Sequence, residues 1–387
     1  MGKHDKLLLV ATVLLVGFGA LMIYSTTSVI TPTLARKGIT EFYYFKRHIL
    51  TIIIAFSFMF IAYHMRPSFV KKMAIPLLIL SFFLLVLVFI PHIGVSAGGA
   101  KRWIRIWPST FQPSEIVKLA MVIFLAWYMS MTGYRTDSFV SFIKPIIILI
   151  PFQIAMLKQP DFGAAMSLTF LTIAMLFLSG TRTKYLITLF VAAIPIVYYL
   201  LSNPYRLRRI TAFLDPWEDP QGSGFQLIQS FIALGSGGIT GVGLGSSQQK
   251  LSYLPESHTD FIFSIIGEEF GLIGLLFIVT LFLLLFIKGV SIAYKAKDEF
   301  VYYLATGLSL MIALQALVNF AVATGLLPTK GLPLPFISYG GSALLVNMIA
   351  VGILLNISKG DWISAPSATR ELMKRRRAKR IFYDKRI

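Results

Sequence analysis

Ten apolar runs, each about as long as a bilayer is thick, punctuate the chain at 7–30, 47–65, 73–92, 113–131, 144–158, 163–180, 185–201, 261–287, 300–325 and 342–358. About 17–25 such residues suffice for a helical span, and inside hydrocarbon a backbone must satisfy its own hydrogen bonds. The pattern therefore predicts an all-α, polytopic membrane protein of about ten transmembrane helices. Of the 387 residues 56% are hydrophobic and 14% charged, whereas about 25% of a soluble domain is charged. The expected organisation is a single transmembrane domain over 1–358, with a large outer loop at 202–260 between spans 7 and 8, and a basic tail over 359–387. The first run exceeds a signal-peptide core and reads as a retained span. Pro145, Pro151 and Pro160 leave room for a broken or re-entrant fifth or sixth span. The absence of cysteine excludes disulfides, a thiol nucleophile and thiolate metal sites.

Lysine and arginine set the orientation. With the N-terminus inside, 22 of the 36 basic residues fall in inner segments, ten of them after residue 358, which places both termini in the cytoplasm. The other 14 lie in or beside outer loops and include Lys101, Arg102, Arg105, Arg206, Arg208, Arg209, Lys250 and Lys330. That is many for the outer side, and an anionic ligand would account for them; interfacial anchoring to phospholipid headgroups is the plainer reading for any one residue. The tail motif KRRRAKR at 374–380 reads as attachment to anionic lipid on the inner leaflet, not as a nucleic-acid site.

The stretch 251–271, LSYLPESHTDFIFSIIGEEFG, is where chemistry concentrates. A polar loop with Glu256, His258, Thr259 and Asp260 enters an apolar helix that still holds Glu268 and Glu269, and ionisable groups at a membrane boundary default to function. Ser257 to Asp260 also fits a helix-capping pattern. Capping and catalysis both remain open for Asp260. Glu268, eight residues or about 12 Å further on, reads as a brace of the bundle. The preceding loop holds an amphipathic segment near 224–234 and the run GSGGITGVGLG at 235–245, suited to close backbone approach. The run matches neither a dinucleotide fingerprint nor a P-loop, so no nucleotide is expected, and no haem or flavin either.

Three more outer segments carry polar groups beside spans. Glu115 and Lys118 share a helix face at the start of span 4. Lys158 and Asp161 flank a turn-like Gln159-Pro160. The segment LPTKGLPLPFISYGGS at 327–342, with Lys330, is too rich in proline and glycine for a helix yet apolar enough to fold back into the bundle.

At these residues the chain resembles a known family. DPWEDPQGSGFQLIQS, IALGSGGITGVGLGSSQQKLSYLPESHTDFIFSIIGEEFG, KRWIRIWPSTFQPSEIVKLA, KQPDFGAA and LPTKGLPLPFISYGGS look like the signature blocks of the SEDS proteins of bacterial shape, elongation, division and sporulation. Gln249-Lys250 and the MIYS at 22–25 resemble the division branch more than the elongation branch. The resemblance implies a peptidoglycan glycosyltransferase of the bacterial cytoplasmic membrane that polymerises lipid II at the outer face, with inversion and release of undecaprenyl pyrophosphate. It implies Asp260 as the general base. Lys118, Arg102, Arg105, Arg209, Lys250 and Lys330 are candidate cations for the pyrophosphate, and Glu115 and Asp161 supporting cavity residues. A divalent cation, magnesium or manganese, could share the charge. The implied partners are lipid II, a class B penicillin-binding transpeptidase and other membrane proteins of the division or elongation machinery. A lipid II flippase and a non-catalytic scaffold for the transpeptidase are the alternative functions.

Overall fold

The computed structural model describes residues 5–27, 42–97, 100–106, 109–201, 204–251, 254–329 and 331–360. Each of the ten apolar runs coincides with one helix: α1 (Lys6–Thr27), α2 (Phe42–His64), then after the short α3 (Pro67–Lys72), α4 (Ala74–Leu87), α5 (Pro113–Met129), α6 (Phe139–Lys158), α7 (Phe162–Leu178), α8 (Thr183–Leu201), α11 (Ile262–Lys295), α12 (Glu299–Ala323) and α13 (Gly341–Ser358). Six of them, α1, α2, α6, α11, α12 and α13, are long and apolar enough to cross a membrane by length and composition. Pro145 and Pro151 sit inside α6 without ending it. The outer loop expected at 202–260 contains α9 (Pro204–Leu214) and the foreseen amphipathic helix, α10 (Phe225–Gly237).

α5, α12 and α13 form the centre. Nearly every side chain of α5 is buried, and α2 packs along α13, α11 along α12 and α12 along α5. Outward faces carry Phe60, Phe83, Phe190 and Leu276, all exposed; lipid is as apolar as these side chains, so burial inside the bundle is not what places them. The first and last described helices meet at one end. The Asp5 N–H donates to Ser358 Oγ at 3.0 Å, and Lys288 Nζ lies 3.6 Å from the Asp5 carboxylate.

The expectation of an all-α chain departs in one place. Between α4 and α5, β1 (Gly94–Ala97), β2 (Ala100–Ile106) and β3 (Ser109–Phe111) form an antiparallel sheet with Gly94 opposite Ile104 and Ile104 opposite Phe111. Trp103, Ile104 and Ile106 favour extended backbone. Ala100 and Ile104 turn inward while Lys101 and Arg105 are exposed, the period-2 alternation of a half-buried strand.

The glycine run finds its use in α11, which kinks at Gly271, where φ is +63°. An unbroken helix would bond the Leu272 and Ile273 N–H groups to the carbonyls of Glu268 and Glu269. They donate to Gly238 and Ile239 instead, at 2.9 and 3.2 Å, and the two freed carbonyls accept from Val242 and Gly243 at 2.9 and 3.1 Å. The loop is thus spliced into the helix with every affected backbone group paired, as a low-dielectric setting demands. A Cβ on Gly271 would stand 2.4 Å from the Ile239 oxygen, so the splice needs glycine there.

Candidate active site

Asp260 lies on a tight turn. Thr259 and Phe261 N–H donate to the Glu256 carbonyl at 3.1 and 3.3 Å, and Thr259 Oγ1 donates to the Glu256 carboxylate at 2.7 Å. Three successive carbonyls of this turn are pinned from outside it. That of His258 accepts from Tyr339 N–H at 2.9 Å, that of Thr259 from Ser338 Oγ at 2.5 Å, and that of Asp260 from Asn319 Nδ2 at 2.8 Å. Two of the donors belong to the proline- and glycine-rich segment, which does fold back, with Leu332, Leu334, Phe336 and Ile337 buried. α11 starts only at Ile262 with Phe261 at its cap position, and among the described residues no backbone N–H donates to the Asp260 carboxylate. The capping reading therefore has no bond to support it, since the pinned backbone aims the side chain elsewhere.

The half-buried Asp260 carboxyl is pushed up to about 7, first by burial and then by Glu256, with Asp161 adding a smaller push; Arg209 and Arg102 pull the other way. Burial lowers His258, against the pull of Glu256, which favours its neutral ring. A Cβ at Gly331 would stand 3.1 Å from Asp260 Oδ2, so glycine there keeps a side chain off the carboxylate. Arg209 is exposed and anchored to the Thr329 carbonyl at 3.0 Å. Arg102, on β2, bonds the Pro160 carbonyl and lies 4.0 Å from the Asp161 carboxylate. Asp161 is buried, caps α7 through Ala164 N–H at 3.2 Å and accepts from Gln112 Nε2 at 3.0 Å.

The other sequence candidates are held mostly by partners of their own. Glu115 and Lys118 form a buried ion pair at 2.8 Å, and Lys118 also donates to Gln315 Oε1 at 3.1 Å. Lys250 is buried too. Its ammonium lies 3.0 Å from Glu269 and 3.1 Å from Ser25 Oγ, and Ser25 donates to Glu269 at 2.6 Å, tying α1 to the loop and to α11. Glu268 accepts from Ser247 Oγ and from Gln248 N–H at 2.9 Å, as a brace would. Arg105 is exposed on β2, beyond the register shift that leaves Arg102 without a partner on β1. Lys330 and most of the basic tail lie outside the described residues. Gln315 and Asn319 went unremarked in the sequence, although two amides four apart in an apolar helix are a signal for a polar site.

Among the described residues no three His, Cys, Asp or Glu side chains converge to hold a metal ion. A divalent cation here would draw most of its oxygen ligands from substrate.

A family model for cell cycle proteins, FtsW/RodA/SpoVE, matches residues 5–361. The chain belongs to this family. A probable peptidoglycan glycosyltransferase FtsW of Geobacter sp. (strain M18) is 46% identical over 92% of this chain and 96% of its own length. Stage V sporulation protein E of Bacillus subtilis (strain 168) is 41% identical over 92% and 97%. Among solved structures, a chain of a peptidoglycan synthase complex that coordinates polymerization and crosslinking superposes with a TM-score of 0.77 at 26% identity, covering 94% of this chain and 99% of that one. The RodA of Thermus thermophilus shares the fold, with a TM-score of 0.68 at 24% identity over 94% and 99%. As an FtsW/RodA/SpoVE protein with this set of apolar helices, the chain is a multi-pass protein of the bacterial cytoplasmic membrane.

Proposed function

We propose that the chain is a peptidoglycan glycosyltransferase of cell division that joins lipid II disaccharides into glycan strands at the outer membrane face. One observation carries the mechanism: Asp260 is a half-buried carboxylate with no donor from the described backbone, and its pKa is raised to about 7. A general base works best with a pKa near the operating pH. The acceptor sugar's 4-hydroxyl gives its proton to Asp260 and attacks the donor's anomeric carbon. The bond from that carbon to the pyrophosphate oxygen breaks, and the electron pair leaves with undecaprenyl pyrophosphate, inverting the centre. Arg102 and Arg209, whose charges are felt at Asp260, receive the growing negative charge. Lys250 and Lys118 act one step back, since each ammonium is buried in a close ion pair at 3.0 and 2.8 Å, whereas Arg102 is part-exposed and 4.0 Å from Asp161. A metal, if bound, would add charge neutralisation at the pyrophosphate; no step above depends on one.

The partner is a class B penicillin-binding transpeptidase. The likeness to a chain of a synthase complex that couples polymerization and crosslinking supports it. Both termini face the cytoplasm, and a cysteine at Ser223 is labelled by an impermeant reagent from outside while one at Ser291 is not. The deciding experiment gives lipid II to purified protein with its partner. Parent protein forms polymer, and Asp260→Asn, folded and partner-bound, forms none. Polymer from Asp260→Asn at the parent rate would refute the base assignment. Movement of lipid II between leaflets without any polymer from the parent would mark a flippase, and full function of the Asn variant in cells a scaffold.

A further inference from the structure

Two amides on one face of α12 connect the buried ion pair to the turn that bears Asp260. Gln315 and Asn319 are four residues apart and both buried, so they stack along one stripe of the helix. Lysine has only donors, so the Lys118 bond fixes the oxygen of Gln315 toward Lys118 and its nitrogen toward the Pro333 carbonyl, at 2.9 Å. Asn319 faces two carbonyls, of Asp260 at 2.8 Å and of Leu332 at 2.9 Å, and its single nitrogen serves both. The Asn319 oxygen is buried with no partner among the described residues. The same residue thus grips the main chain of the base and the main chain beside Gly331, the position that stands over the base's carboxylate.

We infer that Asn319 is a positioning residue for the transferase reaction, holding Asp260 in register with the 331–333 segment, with Gln315 extending that hold to the Glu115–Lys118 ion pair. The inference rests on the reading of Asp260 as the base. Both groups bonded by Asn319 are main-chain carbonyls, so what Asn319 supplies is the two donor hydrogens of its neutral amide. Loss of those donors frees the turn to slide against the Gly331 segment. A displacement of about 1 Å at a reacting group costs on the order of 100-fold in rate. The slide also changes how far the carboxylate stands from Glu256, Arg209, Arg102 and Asp161, the charged groups felt there, and from His258 two residues before it.

Asn347 supplies a control of matched character. It is buried on α13, donates to the Ala343 carbonyl at 2.8 Å and leaves its oxygen without a described partner, and it makes no bond to the Asp260 turn. The experiment compares Asn319→Leu, Asn319→Asp and Asn347→Leu in the full-length protein with its partner, measuring kcat, KM for lipid II and the pH at which the rate rises. Both Asn319 variants are expected to lose about 10- to 100-fold in kcat with KM within about threefold, and the rising limb to move from its parent position. Asn347→Leu is expected to keep kcat per folded molecule and the parent limb. Asn319 variants that match Asn347→Leu in rate and limb overturn the inference, while inactive Asp260→Asn in the same assay leaves the base assignment standing. An active Asp260→Asn overturns the base assignment itself. If Asn319→Leu does not accumulate, Asn319→Asp decides by its kcat against Asn347→Leu, since its added carboxylate moves the limb by charge alone; if neither accumulates while Asn347→Leu does, Asn319 is a folding determinant and the inference is wrong.

Discussion

Asp260 and Glu269 stand nine residues apart in one stretch of chain and have opposite surroundings. Glu269 is buried with its charge matched by Lys250 and its oxygens bonded by Ser25, and Glu268 beside it is filled by Ser247 and Gln248. Asp260 has its main chain pinned by Asn319 while no described backbone donor reaches its carboxylate. A carboxylate whose oxygens already accept bonds from neighbouring side chains and backbone holds structure together. One held by its main chain, with no described donor on its oxygens, is open to an incoming hydroxyl.

The largest expected effect separates the two by rate. Asp260→Asn should lower polymerisation by about 100- to 10,000-fold in a protein that still folds, whereas Glu269→Gln should leave the rate per folded molecule close to the parent. Equal losses would erase the distinction. Next comes stability. Lys250→Met leaves Glu269 buried without its counter-charge, a change of about 3–5 kcal/mol, and thermal unfolding in detergent should register it. Adding Glu269→Gln to that variant should recover most of the loss, because what costs is the unmatched charge. Failure to recover would mean that Lys250 serves something other than its partner.

The third effect has the opposite sign for Asp260. Its pKa rises from 3.8 in an exposed setting to about 7 in the folded protein, so the folded chain holds a proton that the unfolded chain has released between those values. Folding stability from this group is present in acid and lost as pH rises through about 7. Asp260→Asn should therefore melt higher than the parent at about pH 8, with the gain shrinking toward pH 4. A constant difference across that range would deny the raised pKa. Last and smallest, exposed Arg105→Gln should change KM for lipid II less than Arg102→Gln does, since Arg102 is the arginine that borders Asp161 and is felt at Asp260.

Much of this architecture is legible in the sequence. Apolar runs in hydrocarbon have few options, so all ten were found as helices, and GSGGITGVGLG and LPTKGLPLPFISYGGS behaved as their glycines and prolines suggested. The sheet at 94–111 was not foreseen because its strands are only four, seven and three residues long, too short for alternation to stand out. α9 was missed inside a loop read for its charges. The partners of Lys250 were invisible because Ser25 lies 225 residues away; a basic residue in an outer loop looks the same in sequence whether it meets a phosphate or a buried glutamate. Capping of α11 by Asp260 had a fitting local pattern, but pinning by Ser338, Tyr339 and Asn319, all distant in sequence, decided the conformation of the turn.

The central claim is that Asp260 takes the proton from the acceptor hydroxyl, and the pH dependence of polymerisation tests it most directly. With lipid II at concentrations well below KM, the rate of the parent should rise with pH through about 7 as the carboxylate ionises. The residual rate of Asp260→Asn should show no such rise. A limb near pH 7 that survives in Asp260→Asn, or a parent rate flat from about pH 5 to 8, would contradict the assignment.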